Sequence, residues 1–487
     1  MTCACPLQTG QRALILALGQ MPAVVAGAGG TELRVSTLTR RVPGPTLGSR
    51  WHSVKASANG VTARDRPLAR LASMASPDAG SPSAIAPLLT PAGWELLNRV
   101  GPYDESQALS LNESLRREGH PPELVAAVLS QARLRARGAD KFGEFARSML
   151  FTPEGLEQAT RLSVAALHAQ RFVTAGLRRV ADLGCGIGAD AMALAALDRE
   201  VTAVERDETT AAVATLNLMP WPDARVVQAD ATAVDLAAVD GVWLDPARRT
   251  GRTTGTSGTT RRLFDPEAFS PPFSFVTSLA AAGTPVGVKL GPGLAHEAVP
   301  ADAEAQWVSV DGGVAEVALW FGPLRRPDVA RAAVVLSGHG APAELTSPEP
   351  FDATAHDGEV GPVGRYVIEP DGAVIRAGLV TDLARLLGAH QLNDQIAYLS
   401  ADTHVPTPFA RAYTVREVLP FQLKTLRAWV REHQVGTLEI KKRGISQTPE
   451  QVRRELAPKG PGRATLILTR IGATEKRVAI VADPVPR

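Results

Sequence analysis

Apolar and polar positions change period several times along the chain, and each change marks a boundary. Over residues 1–88, Ala, Gly, Pro, Ser, Thr and Arg predominate without a sustained period, so no fixed fold is expected there. Met74 is a candidate native start, since Ser76–Pro87 still reads as linker. From Thr90 helical spacing sets in, with Thr90 as cap and Pro91 in the first turn. Asp104–Glu118 and Pro122–Ala136 continue it, through Leu111 and Leu115, then Leu124, Val128 and Leu129. Thr152 caps a further helix that starts at Pro153, with Glu154 beside the positive end of the helix dipole. Residues 89–170 therefore read as a helical layer.

A strand–helix alternation follows. Strands are expected at Arg179–Leu183, Glu200–Val204, Arg225–Gln228 and Gly241–Leu244, with helices at Ala189–Leu197 and Glu208–Leu218. This order predicts a parallel, doubly wound α/β sheet over 171–325. Further strands fall at Val286–Leu290, Trp307–Val310 and Val314–Trp320, the last two joined by the hairpin signal Asp311-Gly312-Gly313. Residues 326–408 read as a connecting region. There Tyr366–Glu369 and Ala373–Ile375 flank the turn signal Pro370-Asp371-Gly372, and Val380–Leu387 is helical. Residues 409–487 alternate again as a small α/β module: Ala412–Val418, Pro420–His433, Thr437–Lys441, Pro449–Ala457, Ala464–Ile471 and Lys476–Ala482.

Composition narrows the class. The 487 residues are 45% hydrophobic and 21% charged, which suits two or three globular domains. The longest apolar run, Ala13–Val25, is broken by Gly19, Gln20 and Pro22, so neither a membrane span nor a secretory signal is expected. Three cysteines, Cys3, Cys5 and Cys185, make no disulfide framework, and a reducing, cytoplasmic setting is expected. The net charge of +2 conceals +6 over 1–90 and +9 over 405–487, which leaves −13 between them. A basic tail beside an acidic centre points to a polyanionic partner or to a solvated face.

The chemistry concentrates in Val180-Ala-Asp182-Leu-Gly184-Cys185-Gly186-Ile-Gly188, where a strand feeds a glycine turn that opens a helix. Glycines let the backbone bend and approach a ligand, and the helix start offers free N–H groups. Glu205 ends the next strand roughly 20 residues on, where an acid can accept from two ribose hydroxyls. Arg206 follows it. Asp230, in Gln228-Ala-Asp230-Ala231, ends the third strand and can accept from an adenine amino group. A dinucleotide site has G-x-G-x-x-G spacing around a pyrophosphate. Here the spacing is Gly184-x-Gly186-x-Gly188 with Asp182 ahead of it, which suits a sulfonium ligand and would repel a phosphate. No metal-ligand set is seen.

On these residues the region resembles the class I S-adenosylmethionine-dependent methyltransferases, whose fold is a Rossmann-like sheet. The resemblance assigns Asp182, Gly184, Cys185, Gly186, Gly188, Glu205, Arg206, Asp230 and Ala231 to S-adenosyl-L-methionine. Cys185 reads there as a small filler, not a nucleophile. After the fourth strand, Asp245-Pro246-Ala247-Arg248-Arg249 is similar to the Asp/Asn-Pro-Pro-aromatic motif of amino-group methyltransferases. The resemblance makes Asp245 and Pro246 the acceptors that orient an exocyclic amine. Ala247 and Arg248 depart from the motif, and Arg248 or Arg249 is read either as stacking on a base or holding phosphate, or as solvated beside a plain Asp-Pro turn. Phe151-Thr152-Pro153-Glu154-Gly155 looks like the segment that closes over the cofactor in RNA guanine-N2 methyltransferases and cap trimethylguanosine synthases. Lys289, at a strand end, reads as a phosphate contact or as a plain surface lysine.

The tail's Lys441-Lys442-Arg443-Gly444 run and terminal strand pair resemble the THUMP-like domain found beside some bacterial methyltransferases. The resemblance implies an RNA partner, tRNA first, bound by salt-dependent phosphate attraction. Tyr413, Phe421 and Trp429 read as core. The combined expectation is an RNA methyltransferase acting on an exocyclic base nitrogen of tRNA or rRNA. Its alternatives are a methyltransferase of a small molecule or protein, an NAD-dependent oxidoreductase, and a non-catalytic RNA-binding protein with a relic cofactor fold.

Overall fold

The computed structural model describes residues 24–27, 85–248, 265–338, 341–351 and 358–486. These group into two compact units, one of 85–248, 265–289 and 321–324, the other of 24–27, 290–320, 325–338, 341–351 and 358–486. Among the described residues no helix is long and apolar enough to cross a membrane.

The first unit opens with five helices: α1 Pro91–Arg99, α2 Ala108–Arg117, α3 Pro122–Phe142, α4 Pro153–Gln158 and α5 Leu162–Thr174. Thr90 and Thr152 cap α1 and α4, their hydroxyls accepting from Gly93 N–H and Gly155 N–H. Next come β1 Arg179–Leu183, α6 Ala189–Ala196, β2 Glu200–Glu205, α7 Glu208–Leu218, β3 Ala224–Gln228, β4 Gly241–Leu244, α8 Phe273–Ala281 and β5 Val286–Leu290. The strands lie in the order β5-β4-β1-β2-β3, all parallel. Every residue of β4 is buried, as expected of a strand covered on both faces. Register aligns the carboxyl ends, with Leu183 opposite Val204 and Leu244, and Glu205 opposite Gln228.

In the second unit β6 Glu304–Val310 and β7 Gly313–Phe321 form the expected antiparallel hairpin. Its central Asp311 and Gly312 both have positive φ, the geometry that an Asp-Gly turn supplies. β8 Arg331–Leu336 pairs parallel with β6 and antiparallel with β9 Ala343–Ser347. Val24–Gly27 pairs parallel with β9, so the stretch expected to lack a fold contributes a strand.

A second sheet follows: β10 Tyr366–Pro370, β11 His390–Asn393, β12 Ile396–Ala401, β13 Ala410–Pro420, β14 Val435–Lys442, β15 Gly462–Ile471 and β16 Lys476–Pro484. Their order is β11-β12-β10-β13-β16-β15-β14. The helices are α9 Gly372–Arg376, α10 Val380–Leu387, α11 Leu423–Glu432 and α12 Pro449–Leu456. Alternation along β15 builds two cores. Leu466 and Leu468 face Leu426, Trp429 and Val452 of α11 and α12, while Ile467 faces Tyr398, Tyr413 and Ile480.

Two expectations fail in this unit. Residues 326–408 are no mere connector, because they supply β8 to β12. Ala373–Ile375 is helical, because the Asp371 side chain accepts from Ala373 N–H and caps α9 instead of making a hairpin turn.

Candidate active site

The glycine loop is built by backbone geometry. Gly184, Gly186 and Gly188 all have positive φ. Gly184 N–H and Cys185 N–H both donate to Val204 O, which ties the loop to the end of β2. A Cβ on Gly184 would stand 3.0 Å from the Asp245 carbonyl oxygen, so the glycine admits the β4 loop to the same corner. A Cβ on Gly186 would meet nothing within 4 Å, and open space therefore lies before the loop. Cys185 is buried, and burial, followed by the charges of Asp182 and Glu205, pushes its thiol far up. That agrees with a filler and not with a nucleophile.

Glu205 accepts from Gly186 N–H and from Asp207 N–H, at 3.1 and 2.9 Å, so it clasps the loop while staying half-buried. Arg206 is exposed beside it. Asp230 caps the short turn at Ala231–Ala233, accepting from Thr232 N–H and its hydroxyl. Asp182 differs from both. It is 1% exposed, and neither of its carboxyl oxygens has a hydrogen-bond partner. Burial, reinforced by the charges of Asp190 and Asp245, lifts its pKa well above the carboxylate range. An orphaned carboxyl behind a glycine loop with open space in front fits a cationic nucleoside ligand.

Asp245 follows β4, half-buried, with Pro246 buried behind it. Arg248 sits in a two-residue ladder opposite Phe269, while its side chain and Arg249 lie outside the described residues. Lys289 corrects both of its expected readings. It is the penultimate residue of β5, its side chain only 14% exposed, its ammonium 2.5 Å from Asp245 Oδ2 and 3.0 Å from Thr160 Oγ1.

Residues not singled out from the sequence complete the surroundings. Asp190, in the first turn of α6, pairs with buried His168 of α5 at 2.8 Å. Burial opposes Asp190's ionisation most strongly, but His168, Lys289 and Thr160 together hold its pKa below the usual value. The His168 ring packs on Trp243 at 4.2 Å. Asn217 of α7 accepts from Leu150 N–H and donates to Leu150 O and Ile187 O, joining the segment before α4 to the glycine loop. A Cβ on Gly155 would lie 2.5 Å from Ile187, so α4 abuts that loop. An Asn at the end of a helix and a Lys in an apolar strand were the only local signals.

The basic run of the tail is also corrected. Lys441 lies 2.9 Å from Glu369 and over the Tyr413 ring. Arg443 reaches the same carboxylate and covers Tyr398. Lys442 donates to Ile445 O. These cations are half-buried and engaged within their own unit, whereas Lys424, Arg431, Arg454, Lys459 and Arg463 are exposed.

Comparison with known proteins gives three family matches: a methyltransferase small domain over 145–265, a THUMP domain-like region over 410–484, and a domain of unknown function over 81–138. Two Mycobacterium tuberculosis proteins, from strains CDC 1551 and H37Rv, are each 35% identical over 363 residues, spanning 72% of this chain and 93% of the relative. Both are named as uncharacterized S-adenosylmethionine-dependent methyltransferases. A crystal structure named as a methyltransferase from Porphyromonas gingivalis W83 covers 79% of this chain and all of its own. Its TM-score is 0.61 at 20% identity.

Proposed function

The chain belongs to the S-adenosylmethionine-dependent methyltransferases, and from that premise we propose that it methylates an exocyclic base nitrogen in RNA, tRNA above other RNAs. The observation that carries this reading is Asp245, a partly exposed carboxylate just past β4, packed against the loop that turns at Gly184. Bound S-adenosylmethionine supplies a methyl group already activated on sulfur. The residues of this chain then have to hold and orient. Asp182 stands where a buried carboxyl gains most from a cationic ligand. Glu205 offers a carboxylate to ribose hydroxyls while holding the loop closed. Asp230 and Ala231 lie at the adenine side. Asp245 through its side chain and Pro246 through its carbonyl accept from the amine and aim its lone pair. Support for RNA comes from the THUMP-like match together with exposed cations at Lys424, Arg431, Lys459 and Arg463. Arg248 is proposed to contact the same substrate.

The test is tritiated methyl transfer into bulk tRNA, rRNA, protein and small metabolites in parallel, followed by nucleoside analysis of labelled RNA. An N-methylated nucleoside is expected. Label confined to protein or metabolite overturns the RNA assignment.

A further inference from the structure

A lysine near the end of an otherwise buried strand requires explanation. Val286 and Val288 of β5 are fully buried, and Leu290 nearly so, yet Lys289 stands between the last two. A long cation ordinarily reaches outward until its head is in water. Lys289 instead turns inward. Its side chain is 14% exposed, while that of Asp245, its partner, is 32% exposed. The deeper member of the pair is the cation, and it is also bound by Thr160, 129 residues away in sequence, at 3.0 Å. Asp190 in turn hydrogen-bonds Thr160 and His168. Three separate elements thus converge to hold one ammonium against one carboxylate oxygen.

We propose that Lys289 is a positioning residue for the methyl-accepting nitrogen, anchoring Asp245 through Oδ2 so that its carboxylate faces the acceptor amine in one orientation, with Thr160 fixing Lys289 in turn. The proposal rests on the reading of Asp245 as the amine's acceptor. A carboxylate on a loop has two soft torsions, and an ion pair that also satisfies a hydroxyl removes that freedom. The charged surroundings make the anchor necessary. Facing the pair are Asp182 of β1, Asp190 of α6 with His168 of α5, and Lys141 of α3. Without the ammonium, Asp245 would face two buried carboxyls, Asp182 and Asp190, with no cation between them. The Lys141 amine is itself held at about 8, by burial and then by the charge of Lys289.

The experiment compares Lys289→Met, Thr160→Ala and the double variant Lys289→Met/Asp245→Asn in the full chain. It measures single-turnover transfer to bulk tRNA, S-adenosylmethionine affinity by calorimetry, and the Asp245 carboxyl titration by carbon-13 NMR. Lys289→Met is expected to lower kcat about 100-fold, the scale of a misplaced reacting group. Cofactor affinity should stay within about threefold, and the acidic limb of the kcat profile should move to higher pH. Thr160→Ala should lower kcat about tenfold or less without moving that limb. An amide needs no counter-cation, so the double variant should recover activity above Lys289→Met alone. A purely structural lysine would lower kcat and cofactor affinity together, with no recovery, and that result overturns the proposal. If the wild type labels no RNA, the RNA reading fails by itself. The titration then decides for Lys289: a raised Asp245 midpoint in Lys289→Met supports it, and an unmoved one overturns it.

Discussion

Asn217→Leu tests whether the glycine loop is braced from behind. The side chain is 4% exposed and makes three hydrogen bonds of 2.8 to 3.0 Å: from Leu150 N–H, to Leu150 O and to Ile187 O. Leucine fills a similar volume but can neither donate nor accept. It would leave three backbone groups unpaired at residues that are themselves buried. An orphaned buried group costs about 1–3 kcal/mol, so the low end summed gives a loss of about 3 kcal/mol. That loss falls locally, on the joint between the segment before α4 and the loop. It corresponds to roughly 150-fold faster exchange of the Leu150 amide, at 1.36 kcal/mol per factor of ten. Hydrogen exchange followed by mass spectrometry reads this directly, and calorimetry should show cofactor affinity falling in parallel, since Ile187 lies between Gly186 and Gly188. Exchange at Leu150 within about threefold of wild type, with unchanged affinity, would refute the reasoning.

Other consequences are equally concrete. Gly184→Ala forces a left-handed alanine and presses a Cβ to 3.0 Å from the Asp245 carbonyl oxygen; it should cost about 1–2 kcal/mol of stability and depress kcat more than cofactor affinity, as steady-state kinetics would register. Arg326→Met removes the cation 2.6 Å from both Glu304 and Glu344, and urea unfolding should record a loss of about 3–5 kcal/mol, largely restored when both glutamates are also made glutamine. Asp182 has its pKa raised by burial and by neighbouring carboxylates, so the folded state favours its proton, and stability falls as pH climbs past the unfolded value of about 3.9. Asp182→Asn should therefore raise the melting temperature at neutral pH, with the gain vanishing below about pH 4; an equal gain at every pH would contradict it.

How much of this was legible depended on whether the information is local. The alternation from Arg179 to Leu244 is written in consecutive residues, and so is the glycine loop, whose positive φ values only glycine supplies at no steric cost. Caps at Thr90 and Thr152 are likewise local and appear where the spacing put them. Pro370-Asp371-Gly372 misled because the same Asp that favours a turn also caps a helix, and Asp371 N–H is drawn to Phe409 O by the tertiary fold. Strands β8, β9, β11 and β12 escaped because their pairing is not written locally: Ala333 pairs with Trp307, 26 residues earlier, and Ser400 with Val367, 33 residues earlier.

Charge was the least legible property, since a sequence counts charges but not their partners. Lys441 on β14 and Arg443 just past its end both meet Glu369 of β10, 72 and 74 residues earlier. A run that looks like a phosphate magnet is thereby partly neutralised, two of its three cations sharing one carboxylate. The exposed cations of this unit are instead scattered near helix and strand ends, such as Lys424, Lys459 and Arg463, which form no motif. The lysine that matters for chemistry in this reading is the isolated one. Lys289 interrupts Val286-Gly-Val-Lys-Leu, where a strand covered on both faces should be apolar throughout. Burying an ammonium there is unfavourable unless a partner of opposite charge is fixed beside it. A single charge that violates the local hydrophobic pattern therefore points to a long-range partner, whereas a cluster that agrees with a solvent-exposed pattern does not; here that partner is Asp245, 44 residues away.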